Sequence, residues 1–285
     1  MKLKEKNKKK GDIKMKQKTY VVLVLDQSGS MASIRKQAVD GYNEQIQQMK
    51  LNSKDQDIFC SLVTFNGDIY EHQWLESADK LNEASEADYP TNGSTAFRDA
   101  IGYTINRLQE STDPSEENIG YLIVVISDGE ENASKHISPS ALRESIQSCQ
   151  KTGKWTFSYM GCNKAYVEQV SRETSIPVSN MAVWDTKNVV KAAKGLHMNA
   201  AKVGGYYKAR AGGQSATNKL YSDVEYCMAD FTGDDADLNA IKSIMPVNDL
   251  SKSAAGAWTS QNENVFHSNN VSPFSNTNKP VKWTC

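Results

Sequence analysis

A short loop of oxygen-bearing residues directly follows an apolar run near the start of this chain. The loop is Asp26-Gln27-Ser28-Gly29-Ser30, and the run before it is Tyr20-Val21-Val22-Leu23-Val24-Leu25. One carboxylate and two hydroxyls at alternate positions can converge on a hard divalent cation such as Mg²⁺. A buried strand would deliver them to the carboxyl edge of a sheet, where open α/β sheets bind their ligands. The loop therefore predicts a metal site.

Two later segments carry donors of the same chemical kind. They are Gly93-Ser94-Thr95-Ala96-Phe97-Arg98-Asp99-Ala100 and Ile126-Ser127-Asp128-Gly129-Glu130. Together with the first loop they supply five oxygen donors: Asp26, Ser28, Ser30, Thr95 and Asp128. Two carboxylates balance a 2+ charge, three hydroxyls add neutral ligands, and water or an incoming group would complete a near-octahedral shell. We expect these residues to meet at one rim of the fold.

The elements needed to position these loops are predicted by alternating apolar runs and helical periodicity, which is typical of parallel strands linked by crossover helices. Strands are expected at 20–25, 58–65, 69–74, 121–126, 155–160 and 181–184. Helices are expected at 34–49, 97–108, about 139–150, 165–174 and 187 to about 201, after which the pattern decays. Asn66-Gly67-Asp68 is a hairpin signal, so the second and third strands should pair antiparallel at one edge. The fold class is α/β.

The five donors resemble the metal-ion-dependent adhesion site of von Willebrand factor type A (VWA) domains, whose pattern is D-x-S-x-S, a later Thr and a later Asp. The resemblance covers about residues 18 to 205. It implies a doubly wound, Rossmann-like, mostly parallel sheet with helices on both faces. It also implies Mg²⁺, or Mn²⁺ in its place, held directly by Ser28, Ser30 and Thr95 and often through water by Asp26 and Asp128. Ser94 and Phe97 stand where relatives often have Gly and Leu, outside the ligand set.

The resemblance further implies a non-catalytic protein-binding role, in which an exposed Asp or Glu of a partner protein fills the vacant metal position. Intracellular relatives often partner AAA+ ATPases or belong to stress-response or phage-encoded systems, and we expect a bacterial or phage setting. The alternative binding interpretation is that the C-terminal tail makes the main contact while the metal only braces the loops.

Each motif also has a plain structural interpretation. Asp and Ser are ordinary turn and N-cap residues after strands, and Asp128-Gly129 alone is a turn signal. Glu130, Glu131 and Asn132 are interpreted as solvated loop residues. Asp99 either bonds within the Thr95 loop or lies in the first turn of a helix, where its charge suits the macrodipole. Three matching segments in the right order favour the metal site.

Enzyme classes fit the sequence less well. A haloacid-dehalogenase-like phosphatase would need a second acid where Ser28 stands, and a P-loop nucleotidase would need G-x-x-x-x-G-K-[ST], which no segment provides. Serine hydrolysis through Ser28 or Ser30 lacks a nucleophile elbow and a placed base. A metal-dependent phosphohydrolase stays open as the least favoured alternative.

Composition divides the chain of 285 residues into three parts. Residues 1–17 form a lysine-rich arm, 18–210 the domain, and 211–285 a polar, flexible tail with short helices expected at 221–229 and 238–244. The scattered aromatic residues of this tail, Trp258, Phe266, Phe274 and Trp283, are either anchors for a partner or packing residues, and we favour packing. The first 18 residues carry nine lysines against Glu5 and Asp12, which leaves an acidic body, so no nucleic-acid partner is expected. No apolar run is long enough to cross a membrane, and the five scattered cysteines are typical of free thiols, so we expect a cytoplasmic protein, or a virion or infected host cell if the gene is phage-encoded.

Overall fold

A seven-stranded sheet forms the centre of the computed structural model, which describes residues 15–223, 228–232, 272–274 and 279–281. The strand order is β3-β2-β1-β4-β5-β6-β7, and only β3 runs antiparallel to its neighbour. The strands are β1 (Lys18–Asp26), β2 (Asp57–Phe65), β3 (Ile69–Ser77), β4 (Ile119–Ile126), β5 (Trp155–Gly161), β6 (Met181–Val183) and β7 (Ala229–Asp230). The prediction of an α/β fold with one antiparallel edge pair is confirmed.

Within the described residues, five α-helices cover the two faces of this sheet. They are α1 (Arg35–Asn52), α2 (Phe97–Ser111), α3 (Pro139–Lys151), α4 (Lys164–Thr174) and α5 (Val189–Ala211). Helices α1 and α5 pack on the face formed by Val21, Leu23 and Leu25. Helices α2, α3 and α4 pack on the opposite face, formed by Tyr20, Val22 and Val24. Successive residues of β1 thus enter two different cores, which is the doubly wound arrangement.

The central position of β1 explains why its sequence is apolar without alternation. It pairs in parallel with β2 on one side and with β4 on the other, so both of its faces are covered. All residues from Tyr20 to Asp26 are buried. Strands β1 and β4 are hydrogen-bonded neighbours that end at the same edge, with Leu25 beside Ile126. That edge therefore receives the loops that begin at Asp26 and Ser127.

Helix α5 is longer than the sequence pattern indicated. It continues past Gly204 and Gly205 to Ala211, although we expected its end near residue 201. Glycine lowers helix propensity, but packing can override that preference. Here Gly204 faces Gln48 of α1, where a Cβ atom would collide with the glutamine side chain. Val203 and Tyr207 are fully buried in the same stretch, so tertiary contacts maintain the helix.

Described pieces of the tail lie against the domain. The backbone N–H of Tyr221 donates to the Ser179 carbonyl, and β7 pairs in parallel with β6. Ala229 therefore belongs to a strand, so the predicted short helix over 221–229 is wrong at that end; a second short helix expected at 238–244 lies outside the described residues. Phe274 is buried, as the packing interpretation predicted.

No helix in the described part of the chain is both long and apolar enough to cross a membrane. The three cysteines in that part, Cys60, Cys149 and Cys162, are free thiols.

Candidate metal centre

The first loop forms a compact turn at the carboxyl edge of β1. Asp26 is fully buried, and its Oδ1 accepts a hydrogen bond of 2.7 Å from the Ser28 backbone N–H. Such a carboxylate contact with the backbone two residues on is an Asx turn, a local preference of the Asp-x-Ser sequence. It brings the Ser28 and Ser30 hydroxyl oxygens within 3.0 Å of each other. The two serines of the motif therefore present neighbouring oxygen atoms.

The Asp128 loop closes on the first loop through two hydroxyl contacts. The Ser30 hydroxyl donates to Asp128 Oδ1 at 2.7 Å, and the Ser127 hydroxyl donates to Asp26 Oδ2 at 2.5 Å. Both contacts join residues that are far apart in the sequence but lie at or just after the ends of the neighbouring strands β1 and β4. Ser30 is exposed and Asp128 is half-buried, whereas Ser28 and Asp26 lie beneath them. The cluster is consequently open to solvent at Ser30 and, in part, at Asp128.

Thr95 joins the same cluster from the loop before α2. A Cβ atom built on Gly129 would lie 2.7 Å from Thr95 Oγ1 and 3.4 Å from Asp26 Oδ2. The Thr95 hydroxyl and the Asp26 carboxylate, which come from two different loops, therefore both lie close to Gly129. The first loop is also tied to the Thr95 loop, because the Gly29 N–H donates to the Gly93 carbonyl at 3.1 Å. The structure brings all five predicted donors to one rim.

The charge at this rim is negative and uncompensated within the described residues. Burial raises the pKa of Asp26 to about 6, although hydrogen bonds from Ser127 and Ser28 oppose the shift, and the nearby Asp128 raises it further. Burial also raises the pKa of Asp128. No lysine, arginine or histidine of the described chain forms an ion pair with either carboxylate. Buried charges normally have a partner, so this pair fits a cationic ligand.

The donor chemistry favours a hard divalent cation. Two carboxylates and three hydroxyls offer oxygen only, the ligand type that Mg²⁺ and Mn²⁺ prefer. The two negative charges would match the 2+ charge, and a further oxygen ligand would approach past the exposed Ser30 and the half-buried Asp128. The residues present therefore fit such an ion.

Comparison with known proteins identifies the family of this chain. The family profile described as "von Willebrand factor type A domain" matches residues 21–192, which is more than half of the chain. The chain belongs to the von Willebrand factor type A domain family. A search of curated proteins gave no match to this VWA protein.

Solved structures similar to this VWA domain include three proteins from different organisms. A von Willebrand factor type A protein from Catenulispora acidiphila is 18% identical, with a TM-score of 0.49, covering 66% of this chain and 43% of that one. The PilB minor pilin from Streptococcus sanguinis is 13% identical, with a TM-score of 0.45, covering 67% and 62%. Proximal thread matrix protein 1 from the mussel byssus, described with a zinc-occupied MIDAS motif, is 16% identical, with a TM-score of 0.41, covering 64% and 45%. The chain spans less than two thirds of the length of each.

Sequence reasoning missed several residues that support the rim of this VWA domain. Ser127 was not assigned a role, yet it bonds Asp26 directly. Glu131 was interpreted as solvated, which is wrong: its side chain is 4% exposed and accepts four hydrogen bonds from Arg98, Ala133 and Ser134. For Ser127, its position next to Asp128 was the one hint in the sequence that it lies at the rim. For Glu131 the sequence offers no such hint, because one of its partners, Arg98, lies 33 residues away.

Tyr89 contacts the backbone of the first loop from inside the fold. The ring is fully buried, and its hydroxyl donates to the Asp26 carbonyl oxygen. Phe274 of the tail packs against this ring, with centroids 5.7 Å apart. On the other side, the Cys162 thiol donates to the Asp128 carbonyl at 2.8 Å. The backbone carbonyls of Asp26 and Asp128 thus each accept a side-chain hydrogen bond, which helps to fix the position of the two carboxylates.

Proposed function

We propose that this VWA domain is a non-catalytic binding module that holds one divalent cation and uses it to bind an acidic side chain of a protein partner. Asp26, Ser28, Ser30, Thr95 and Asp128 would hold Mg²⁺, or Mn²⁺ in its place. The observation that carries the proposal is the convergence of two carboxylates, one fully buried, without a basic partner in the described chain. A bound cation would supply the missing positive charge and an open coordination position for a carboxylate oxygen.

The burial pattern supports a ligand that approaches from outside the rim. Asp26 and Ser28 form the floor, and the exposed Ser30 and half-buried Asp128 form the margin. A partner carboxylate would meet the margin first, and the floor would hold the charge in a setting of low dielectric. Electrostatic attraction is stronger there than in water. A site of this shape suits a single acidic side chain.

The surroundings of the hydroxyls support binding over catalysis. A nucleophilic serine needs a base within hydrogen-bond reach. The Ser28 hydroxyl bonds that of Ser30, and the Ser30 hydroxyl donates to Asp128. Asp128 is a proposed metal ligand, and a bound cation would lower its basicity. Two of the described histidines are engaged elsewhere: His72 bonds Thr64 and the Phe274 carbonyl, and His197 bonds Glu44. We therefore propose that the protein is not an enzyme.

The tail interpretation receives less support from the described residues. Tyr221, Phe231 and Phe274 are buried against the domain, so these aromatic side chains are occupied by packing. Trp258, Phe266 and Trp283 lie outside the described residues. We therefore favour the metal rim as the main contact surface.

A capture experiment tests the proposal with a matched pair of variants. Full-length wild type, Thr95→Ala and Ser94→Ala are immobilised and exposed to native host extract in Mg²⁺ or in excess EDTA, and retained proteins are identified by mass spectrometry. Thr95 is a predicted ligand, whereas the neighbouring Ser94 is exposed and outside the ligand set.

The proposal predicts a protein that wild type and Ser94→Ala retain in Mg²⁺ only and that Thr95→Ala does not retain. A partner held equally in EDTA, or held equally by Thr95→Ala, would contradict the metal bridge. Turnover of a phosphoester that requires Asp26 would instead support the enzyme alternative.

A further inference from the structure

The loop after Asp128 holds the backbone of Thr95 on both sides. The Thr95 N–H donates to Asn132 Oδ1 at 2.9 Å. The Thr95 carbonyl accepts hydrogen bonds from the N–H groups of Asn132 at 3.0 Å and Ala133 at 3.1 Å. We call residues 131–134 the Thr95 clamp. Thr95 is 3% exposed, so its backbone groups depend on these partners for hydrogen bonding.

Glu131 keeps the Thr95 clamp in shape. Its Oε1 accepts from the N–H groups of Ala133 and Ser134 at 2.9 and 2.7 Å, and its Oε2 accepts from the Ser134 hydroxyl at 2.7 Å. Oε2 also accepts from the Arg98 N–H at 3.0 Å in the first turn of α2. A carboxylate at a helix N-terminus satisfies free N–H groups there. Glu131 therefore joins the clamp to the helix that follows Thr95.

Asp99 makes the reciprocal contact from the same helix. Its carboxylate is buried and accepts backbone N–H bonds at 2.7 to 3.2 Å from the three residues that follow the clamp, Lys135, His136 and Ile137. One carboxylate thus reaches from the loop to the helix and another from the helix to the loop. This double connection fixes the Thr95 loop relative to the chain that leaves Asp128.

We propose that Asn132 is a positioning residue for the divalent cation, which sets the metal affinity by holding the Thr95 backbone without touching the metal. The inference rests on the proposed function, because it concerns the same site. Outer-shell partners of metal ligands typically change metal affinity by about 10- to 100-fold when they are removed. The geometry gives Asn132 that role because its amide oxygen is the acceptor for the Thr95 N–H.

Two substitutions at Asn132 separate positioning from general loop stability. Asn132→Ala removes the acceptor, and the Thr95 N–H loses its partner. Asn132→Asp keeps an oxygen acceptor at the same place and adds one negative charge. Glu130→Gln is the control for charge, because Glu130 is exposed in the same loop and the change removes one negative charge.

The experiment measures Mn²⁺ affinity of the full chain by electron paramagnetic resonance, below the unfolding temperature of every variant. Asn132→Ala should bind Mn²⁺ about 10- to 100-fold more weakly than wild type. Asn132→Asp and Glu130→Gln should stay within about threefold, since screening limits the effect of one exposed charge. The spectrum of the Mn²⁺-saturated Asn132→Ala protein should also differ from that of wild type, which a change of stability alone would not cause.

Thr95→Ala distinguishes failure of this inference from failure of the proposed function. If Thr95→Ala loses affinity while Asn132→Ala binds as wild type does, the positioning role is wrong and the metal site stands. If Asn132→Asp is as weak as Asn132→Ala, the acceptor is not the cause and the inference is also overturned. If wild type binds no Mn²⁺, or if Thr95→Ala binds unchanged, the proposed function fails and the inference falls with it.

Discussion

Replacing Asp26 by Asn should stabilise the metal-free protein while removing its response to metal. Burial raises the pKa of Asp26 from 3.8 to about 6. The two values differ by about two pH units, so ionised Asp26 destabilises the metal-free fold by about 3 kcal/mol above pH 6. Asn is neutral, its Oδ1 can still accept from the Ser28 N–H, and its amide can donate to Ser127.

The sign of the pH dependence follows from the direction of this shift. The folded state binds the Asp26 proton more tightly than the unfolded state does. The contribution of Asp26 to the free energy of unfolding therefore falls as pH rises from about 3.8 to about 6, and it stays low above that range. Asp26→Asn should lack this loss of stability.

Urea and thermal unfolding in EDTA at pH 7.5 measure the effect. The free energy of unfolding of Asp26→Asn should be about 3 kcal/mol higher than that of wild type, which corresponds to a thermal midpoint roughly 6 to 12 °C higher. Mg²⁺ at about 100 times its dissociation constant should add about 2.7 kcal/mol to wild type and nothing to the variant. Asp40→Asn, which alters an exposed pair with Lys36, should change stability by less than about 1 kcal/mol. An Asp26→Asn protein that is less stable than wild type in EDTA would refute the electrostatic reasoning.

Substitutions at His72, Phe274 and Gly129 should change stability or Mn²⁺ affinity, as urea titration and calorimetry can measure. Burial lowers the pKa of His72 to about 4, so stability should fall by up to about 3 kcal/mol as pH drops from 6.5 toward 4, and His72→Gln should lack that fall in urea titrations. Phe274→Ala should lower the free energy of unfolding by about 3 kcal/mol, because it removes a buried ring beside Tyr89; an unchanged urea midpoint would contradict this packing. Gly129→Ala should displace the Thr95 hydroxyl and weaken Mn²⁺ binding about tenfold in calorimetry, and unchanged affinity would count against the role of that hydroxyl.

The fold was predictable where local patterns and packing agree. Strand β1 is apolar at every position because it lies between β2 and β4, and such a run indicates a central parallel strand. The turn at Asn66-Gly67-Asp68 correctly predicted the antiparallel β2–β3 pair, and the Asn66 N–H donates to the Asp68 carbonyl at 2.9 Å. The alternating Asp, Ser and Ser after β1 indicated the loop chemistry.

Other features depend on contacts that the sequence does not display. Helix α5 continues through Gly204 because it packs on α1. Helix propensity alone therefore predicts an end that is too early. The bond between Asn132 and Thr95 joins residues 37 positions apart, so the Thr95 clamp was not visible as a motif. A Glu-Asn pair next to a turn is usually solvated, but here Glu131 contacts Arg98 of α2 as well as its own loop, and its side chain is buried.

Anomalous diffraction from crystals grown with Mn²⁺ is the direct test for a divalent cation at this rim. Data collected at the manganese absorption edge distinguish the bound ion from water and from the lighter atoms of the protein. We expect one anomalous peak in bonding contact with the hydroxyl oxygens of Ser28, Ser30 and Thr95, which excess Mg²⁺ removes by displacing the Mn²⁺. The absence of a peak at this rim in Mn²⁺-saturated crystals of the folded protein, or a peak bonded only to other side chains, would contradict this metal site.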